Sequence, residues 1–147
     1  MNEIRIPNIE NYIQEISNGE LILTPKQNYI TEKDLNELHI LHSTIEKCII
    51  KVHDTNISTN TNYRAILIDI WKTMNMKTIL KTTTFNIKLT DEKGIKGYNW
   101  CPDLKISFQS KDARGTLKEI LNMVKTNKLT IALSIKLESG NIIHYKN

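Results

Sequence analysis

The sequence predicts one α+β domain spanning residues 1–147, an antiparallel-rich sheet of hairpins covered by about three helices. Three observations lead there: short alternating apolar runs that recur around Gly- and Asn-containing turns, apolar stripes at helical spacing, and a length close to the usual size of a single domain. At 39% hydrophobic and 24% charged residues, with five Gly and three Pro, the composition excludes disordered and fibrous classes.

The elements follow in order. Tyr12 to Ile16, the pair Asn18-Gly19 and Leu21 to Leu23 read as a hairpin, because Asn-Gly supplies the positive φ angles of a tight primed turn, and Pro25 ends the second strand. Thr31-Glu32-Lys33-Asp34 has the form of a capping box opening a short helix that runs to about Leu41. Ile45 to Val52 is rich in β-branched residues and reads as a strand, followed by a polar loop over Asp54 to Asn62.

Tyr63, Ile66, Leu67, Ile70, Trp71 and Met74 share one helical face, which marks a helix packed on the core. Thr84 to Leu89 alternates, Asp91 to Gly94 supplies a turn, and a second strand near Gly97 to Trp100 completes an expected second hairpin. Leu104, Ile106 and Phe108 alternate again. Asp112 or Thr116 then caps a helix striped by Leu117, Ile120, Leu121 and Val124. Leu129 to Leu137, the turn Glu138 to Asn141 and Ile142 to Tyr145 form a third hairpin, for a total of roughly eight strands and three helices.

No apolar run approaches the ~20 residues needed to cross a bilayer, and the N-terminus lacks a signal pattern, so an intracellular protein without a membrane partner is expected. Two cysteines, Cys48 and Cys101, without CxxC spacing fit a reducing compartment. Lys outnumbers Arg 17 to 3 and Ile and Asn are abundant, a bias of AT-rich coding DNA that bears on origin. The net charge of +4 is uneven: residues 1–60 hold five Lys or Arg against nine Asp or Glu, and residues 61–147 hold fifteen against seven. Clustered lysines attract phosphate or carboxylate, although an ordinary lysine-solvated surface has the same composition.

His39, His42, Cys48 and His53 lie close in sequence, but their spacing matches no zinc module and no metal is expected. Cys101 has Asp103 as its nearest charged neighbour, the wrong charge to activate a thiol. No P-loop, GxGxxG, GxSxG or HExxH motif occurs, so neither an enzyme nor a cofactor is expected. The segment Lys96-Gly97-Tyr98-Asn99-Trp100-Cys101-Pro102-Asp103 sets two aromatics among Lys93, Lys96 and Lys105, the pairing of stacking surface and positive charge that single-stranded nucleic acid uses. An aromatic just before a strand is, however, more often a core plug than a platform. Arg114 beside Gly115 at a helix start is a candidate anion contact, or a solvated arginine in a helix-entry loop.

Asn11-Tyr12, Asn18 to Ile22, Tyr63 to Trp71, Gly97 to Asp103 and Ser107 to Ala113 make the chain resemble uncharacterised small proteins of amoeba-infecting giant DNA viruses, the Mimivirus relatives. That resemblance implies a viral origin and a setting in the host cytoplasm, at the viral factory, or in the virion. It carries over no functional residue. The expected function is a non-enzymatic interaction or structural protein that contacts a viral or host protein or a second copy of itself. The alternative is a nucleic-acid-binding accessory protein with Lys93, Lys96, Lys105, Lys111, Arg114 and Lys118 on phosphates and Tyr98 and Trp100 on bases.

Overall fold

The computed structural model describes residues 12–25, 28–90 and 92–147, which carry ten strands and four helices in an α+β arrangement. The first hairpin forms as its turn chemistry requires. β1 (Tyr12–Ser17) pairs antiparallel with β2 (Glu20–Pro25), and Asn18 and Gly19 turn the chain at φ 53° and 79°.

A five-stranded sheet has the order β3-β10-β9-β4-β5, from β3 (Tyr29–Ile30), β4 (Thr44–Val52), β5 (Thr55–Ser58), β9 (Thr130–Lys136) and β10 (Ile142–Lys146). Only β3 with β10 is parallel; β9 and β10 form the expected terminal hairpin. β5 corrects the loop reading of Asp54 to Asn62. His53 turns at φ 53°, Val52 meets Thr55, and Ser58 is buried with its hydroxyl donating to Asp69 Oδ2 at 2.8 Å. A polar edge strand with one neighbour lacks the apolar alternation that betrays buried strands.

α1 (Glu32–Glu37) opens with the capping box at Thr31 and Asp34 but stops before Leu41. The carbonyls of Asn36 and Leu38, at its C-terminus, accept from the Arg114 guanidinium, which fixes the chain where the helix ends. α2 (Tyr63–Trp71) is capped by Asn62 and buries Ile66, Leu67, Ile70 and Trp71; Met74 lies beyond its end. α3 (Met76–Thr82), capped by Asn75, was not expected from the sequence because Ile79 is its one buried residue.

The three-stranded sheet has the order β6-β8-β7, from β6 (Ile87–Leu89), β7 (Asn99–Cys101) and β8 (Ile106–Phe108). The expected hairpin between Thr84–Leu89 and Gly97–Trp100 is therefore absent: both strands pair with β8, not with each other. β8 wins the centre because Ile106, Ser107 and Phe108 are all buried. Of the Asp91 to Gly94 turn, Asp91 lies outside the described residues. Leu104 falls in a 3₁₀ turn, Pro102–Leu104, rather than in the strand.

α4 (Ala113–Thr126), capped by Asp112, buries the expected Leu117, Ile120, Leu121 and Val124 and also Thr116, Glu119 and Met123, so it is covered on more than one face. α2 reaches both sheets. Its Tyr63 and Asp69 bond Ser43 and Ser58 beside the five-stranded sheet, while Trp71, fully buried, meets Phe108 of β8 edge-on at 5.3 Å and Phe85 at 5.8 Å. Glu119 ties α4 to the entry of β6: its Oε2 accepts from Thr83 Oγ1, Thr84 N and Thr84 Oγ1 at 2.8–3.0 Å.

Candidate nucleic-acid interface

Strand alternation decides which side chains can meet a ligand. Phe108 packs on Trp71, so the inward face of the three-stranded sheet carries Ile106 and Phe108 with their direct partners Cys101, Leu89, Asn99 and Ile87. The opposite face carries the row Lys88, Ser107 and Trp100, paired side by side. Trp100 is accordingly 38% exposed, and the core-plug reading fails: Cys101, next along β7, takes the inward position at 5% exposure.

The ring of Trp100 has the Lys93 ammonium 6.0 Å from its centroid, and Tyr98, half-buried two residues earlier, has Lys88 Nζ at 4.6 Å. Two aromatic rings each carry a cation on one surface sheet. Ser107, between Lys88 and Trp100 in the row, is buried, and its hydroxyl has no hydrogen-bond partner among the described residues. Lys88 is the member of this group that the sequence reading missed, because its alternation in Thr84 to Leu89 marks it only as a solvent-side residue.

The remaining expected site residues are dispersed. Lys96 is exposed in the loop before β7, and Lys105 is exposed at φ 54° between the 3₁₀ turn and β8. Lys111 and Lys118 belong to the side of α4 instead, flanking a cleft of about 270 Å³; Lys111 Nζ donates to Thr84 Oγ1 at 3.0 Å. Arg114 is half-buried and committed to the carbonyls of Asn36 and Leu38, so it clasps α1 rather than waiting for an anion.

The chain matches no protein-family model, no curated protein and no solved structure.

Other chemistry is poorly placed. Burial first, and then Asp69, push the Cys48 thiol up to about 12, far from a nucleophile at neutral pH. Asp103 is engaged by Lys72 at 2.8 Å, and this hydrogen-bonded partner raises the Lys72 ammonium above its usual range. Among the described residues no group of three or more His, Cys, Asp or Glu could hold a metal ion, and no helix is long and apolar enough to cross a membrane. What the outer face of the three-stranded sheet offers is aromatic surface with positive charge beside it.

Proposed function

We propose that the protein is a non-enzymatic binder of single-stranded nucleic acid that stacks bases on Tyr98 and Trp100 while Lys88 and Lys93 move from those rings to the flanking phosphates. The observation that carries this reading is the pairing of each exposed-face aromatic with a lysine. Magnitudes favour the exchange. An exposed cation–π contact is worth about 0.5–1 kcal/mol, whereas a base stacked on an aromatic side chain contributes about 1–3 kcal/mol, and the displaced ammonium regains an anion. Only unpaired bases offer a free face, so a single strand is preferred over a duplex.

The test is anisotropy of a labelled oligothymidylate titrated with the full chain across a salt series. Binding that weakens steeply with salt, and weakens roughly 5- to 150-fold in Trp100→Ala, is expected from the stacking magnitude above. Equal binding by Trp100→Ala, or none by the wild type at low salt, would end this reading.

A second reading, adhesion to a viral or host protein or to another copy of the chain, is supported by β6. It is an edge strand of the three-stranded sheet, and its Leu89 is 62% exposed. Sedimentation that shows a concentration-dependent dimer, lost in Leu89→Lys, is the result expected of it; a monomer at all concentrations counts against self-pairing. The viral setting rests on the sequence resemblance alone.

A further inference from the structure

The five-stranded sheet has a second surface that the reading above does not use. Ile45, Cys48, Ile50, Ile131, Leu133, Ile135 and Tyr145 fill its inner face and are all buried. Alternation sends the residues between them to the outer face, and the registers line these up into four cross-strand rows.

The first row is Ile142, Lys136 and Thr44. The second is Tyr29, His144, Ser134 and Lys47. The third is Lys146, Ala132 and Ile49, and the fourth is Thr130, Lys51 and Asn56. Each row contains one lysine and no aspartate or glutamate; Glu46, exposed at the bulge between Ile45 and Lys47, stands outside the rows. None of the four lysines forms an ion pair among the described residues, where Lys72 with Asp103 is the pair found.

This face is open. Lys47, Lys136, Lys146, Thr130 and Ala132 are exposed, Lys51 is half-buried, and Tyr29 is 42% exposed. A depression of about 280 Å³ runs along the third and fourth rows, with Ile49 and Ala132 on its floor and Lys51 and Lys146 at its sides. Lys146 Nζ lies 4.3 Å over the Tyr29 ring, repeating the lysine-on-aromatic arrangement of the other sheet.

We propose that the outer face of the five-stranded sheet is a second tract for single-stranded nucleic acid, in which Lys47, Lys51, Lys136 and Lys146 contact successive phosphates and Tyr29 receives a base. Charge complementarity argues for a polyanion, since four lysines on this face outnumber its one bulge carboxylate, Glu46. The exposed hydroxyl of Thr44 adds a donor suited to phosphate and sugar oxygens, while Ser134 is bonded to His144 and Thr130 donates to the Lys51 carbonyl. Acidic peptides lack the base that Tyr29 would stack, and an anionic bilayer needs a broader protruding apolar edge than Ile142 alone supplies. The proposal takes its class of partner from the reading above but shares none of its residues.

The experiment uses a labelled oligothymidylate, the full chain, and the variants Lys47→Gln/Lys51→Gln/Lys136→Gln/Lys146→Gln and Tyr98→Ala/Trp100→Ala. Four phosphate contacts at about 0.7 each predict that the slope of log K against log salt becomes shallower by roughly 3 in the lysine variant and stays nearly unchanged in the aromatic variant. The same four positions changed to Arg should restore the wild-type slope. If the fourfold Gln variant does not fold, Lys136→Gln/Lys146→Gln should lose about half as much slope. A shallower slope in the lysine variant together with weaker affinity in the aromatic variant upholds both, whereas a shallower slope with wild-type affinity in the aromatic variant upholds this tract and removes the Tyr98–Trp100 platform. The reverse pattern removes this tract and keeps the platform. Wild-type binding to phosphatidylserine vesicles with none to the oligonucleotide overturns this tract.

Discussion

Replacing Glu119 by Ala tests the link between the helical layer and the sheet that carries Trp100. Glu119 is 1% exposed, and its Oε2 accepts from Thr84 N at 2.8 Å, Thr83 Oγ1 at 2.9 Å and Thr84 Oγ1 at 3.0 Å, while Oε1 accepts from Asn122 Nδ2 at 3.3 Å. Thr84 is exposed, so its hydroxyl can be rehydrated; its amide and the half-buried Thr83 hydroxyl are the donors at risk of being orphaned. At about 1–3 kcal/mol for each buried group left without a partner, partly relieved by entering water, Glu119→Ala should cost about 2–4 kcal/mol. Gln keeps an acceptor in place and should cost about 1 kcal/mol. With about 2–4 °C of melting temperature per kcal/mol for a chain of this size, Glu119→Ala should melt roughly 5–15 °C lower in scanning calorimetry, and Glu119→Gln much less. A Glu119→Ala protein melting within about 2 °C of wild type would refute the assignment of Glu119 as the pin between α4 and β6.

Trp71→Ala removes the fully buried ring that joins Phe85 and Phe108 and should lower unfolding free energy by about 3–5 kcal/mol in urea titrations, whereas a loss under about 1 kcal/mol would show that the core does not centre there. Arg114→Ala should release the C-terminus of α1, seen as faster amide exchange at residues 35–38, and leave oligonucleotide affinity unchanged; a drop in affinity at unchanged exchange would return Arg114 to the interface. Cys48, with its thiol raised from 9.0 to about 12, should resist iodoacetamide at pH 8 until the protein unfolds, and ready labelling of the native chain would contradict its burial. Because the folded thiol holds its proton more tightly than the unfolded one, its contribution to stability is fully present below pH 9 and is lost as pH rises toward about 12, which urea midpoints across that window can follow.

Local signals in the chain translated into structure where the deciding interaction was itself local. The caps at Thr31 and Asp112, the stripes Ile66–Leu67–Ile70–Trp71 and Leu117–Ile120–Leu121–Val124, and the turns at Asn18-Gly19 and Gly140 depend on neighbours a few residues apart. The order β6-β8-β7 was hidden because Ile87 and Asn99 both pair with Phe108, and only packing on Trp71 puts β8 in the middle. β5 was hidden by polarity suited to an edge. Of the candidate site, Lys93, Tyr98 and Trp100 were visible from composition, but their grouping with Lys88 needed the register of β6 against β8. The lysine rows of the five-stranded sheet were beyond reach of any count by halves. Lys47 and Lys51 sit in the acidic part of the chain, and they meet Lys136 and Lys146 only through strand pairing across most of the sequence.

The claim that a nucleobase stacks on Trp100 is open to one direct measurement, since the two tryptophans occupy opposite environments, Trp71 at 0% and Trp100 at 38% exposure. In protein labelled with 5-fluorotryptophan, adding oligothymidylate should shift the fluorine resonance of Trp100 saturably and leave that of Trp71 in place. A titration in which the oligonucleotide binds while the Trp100 resonance stays still would contradict it.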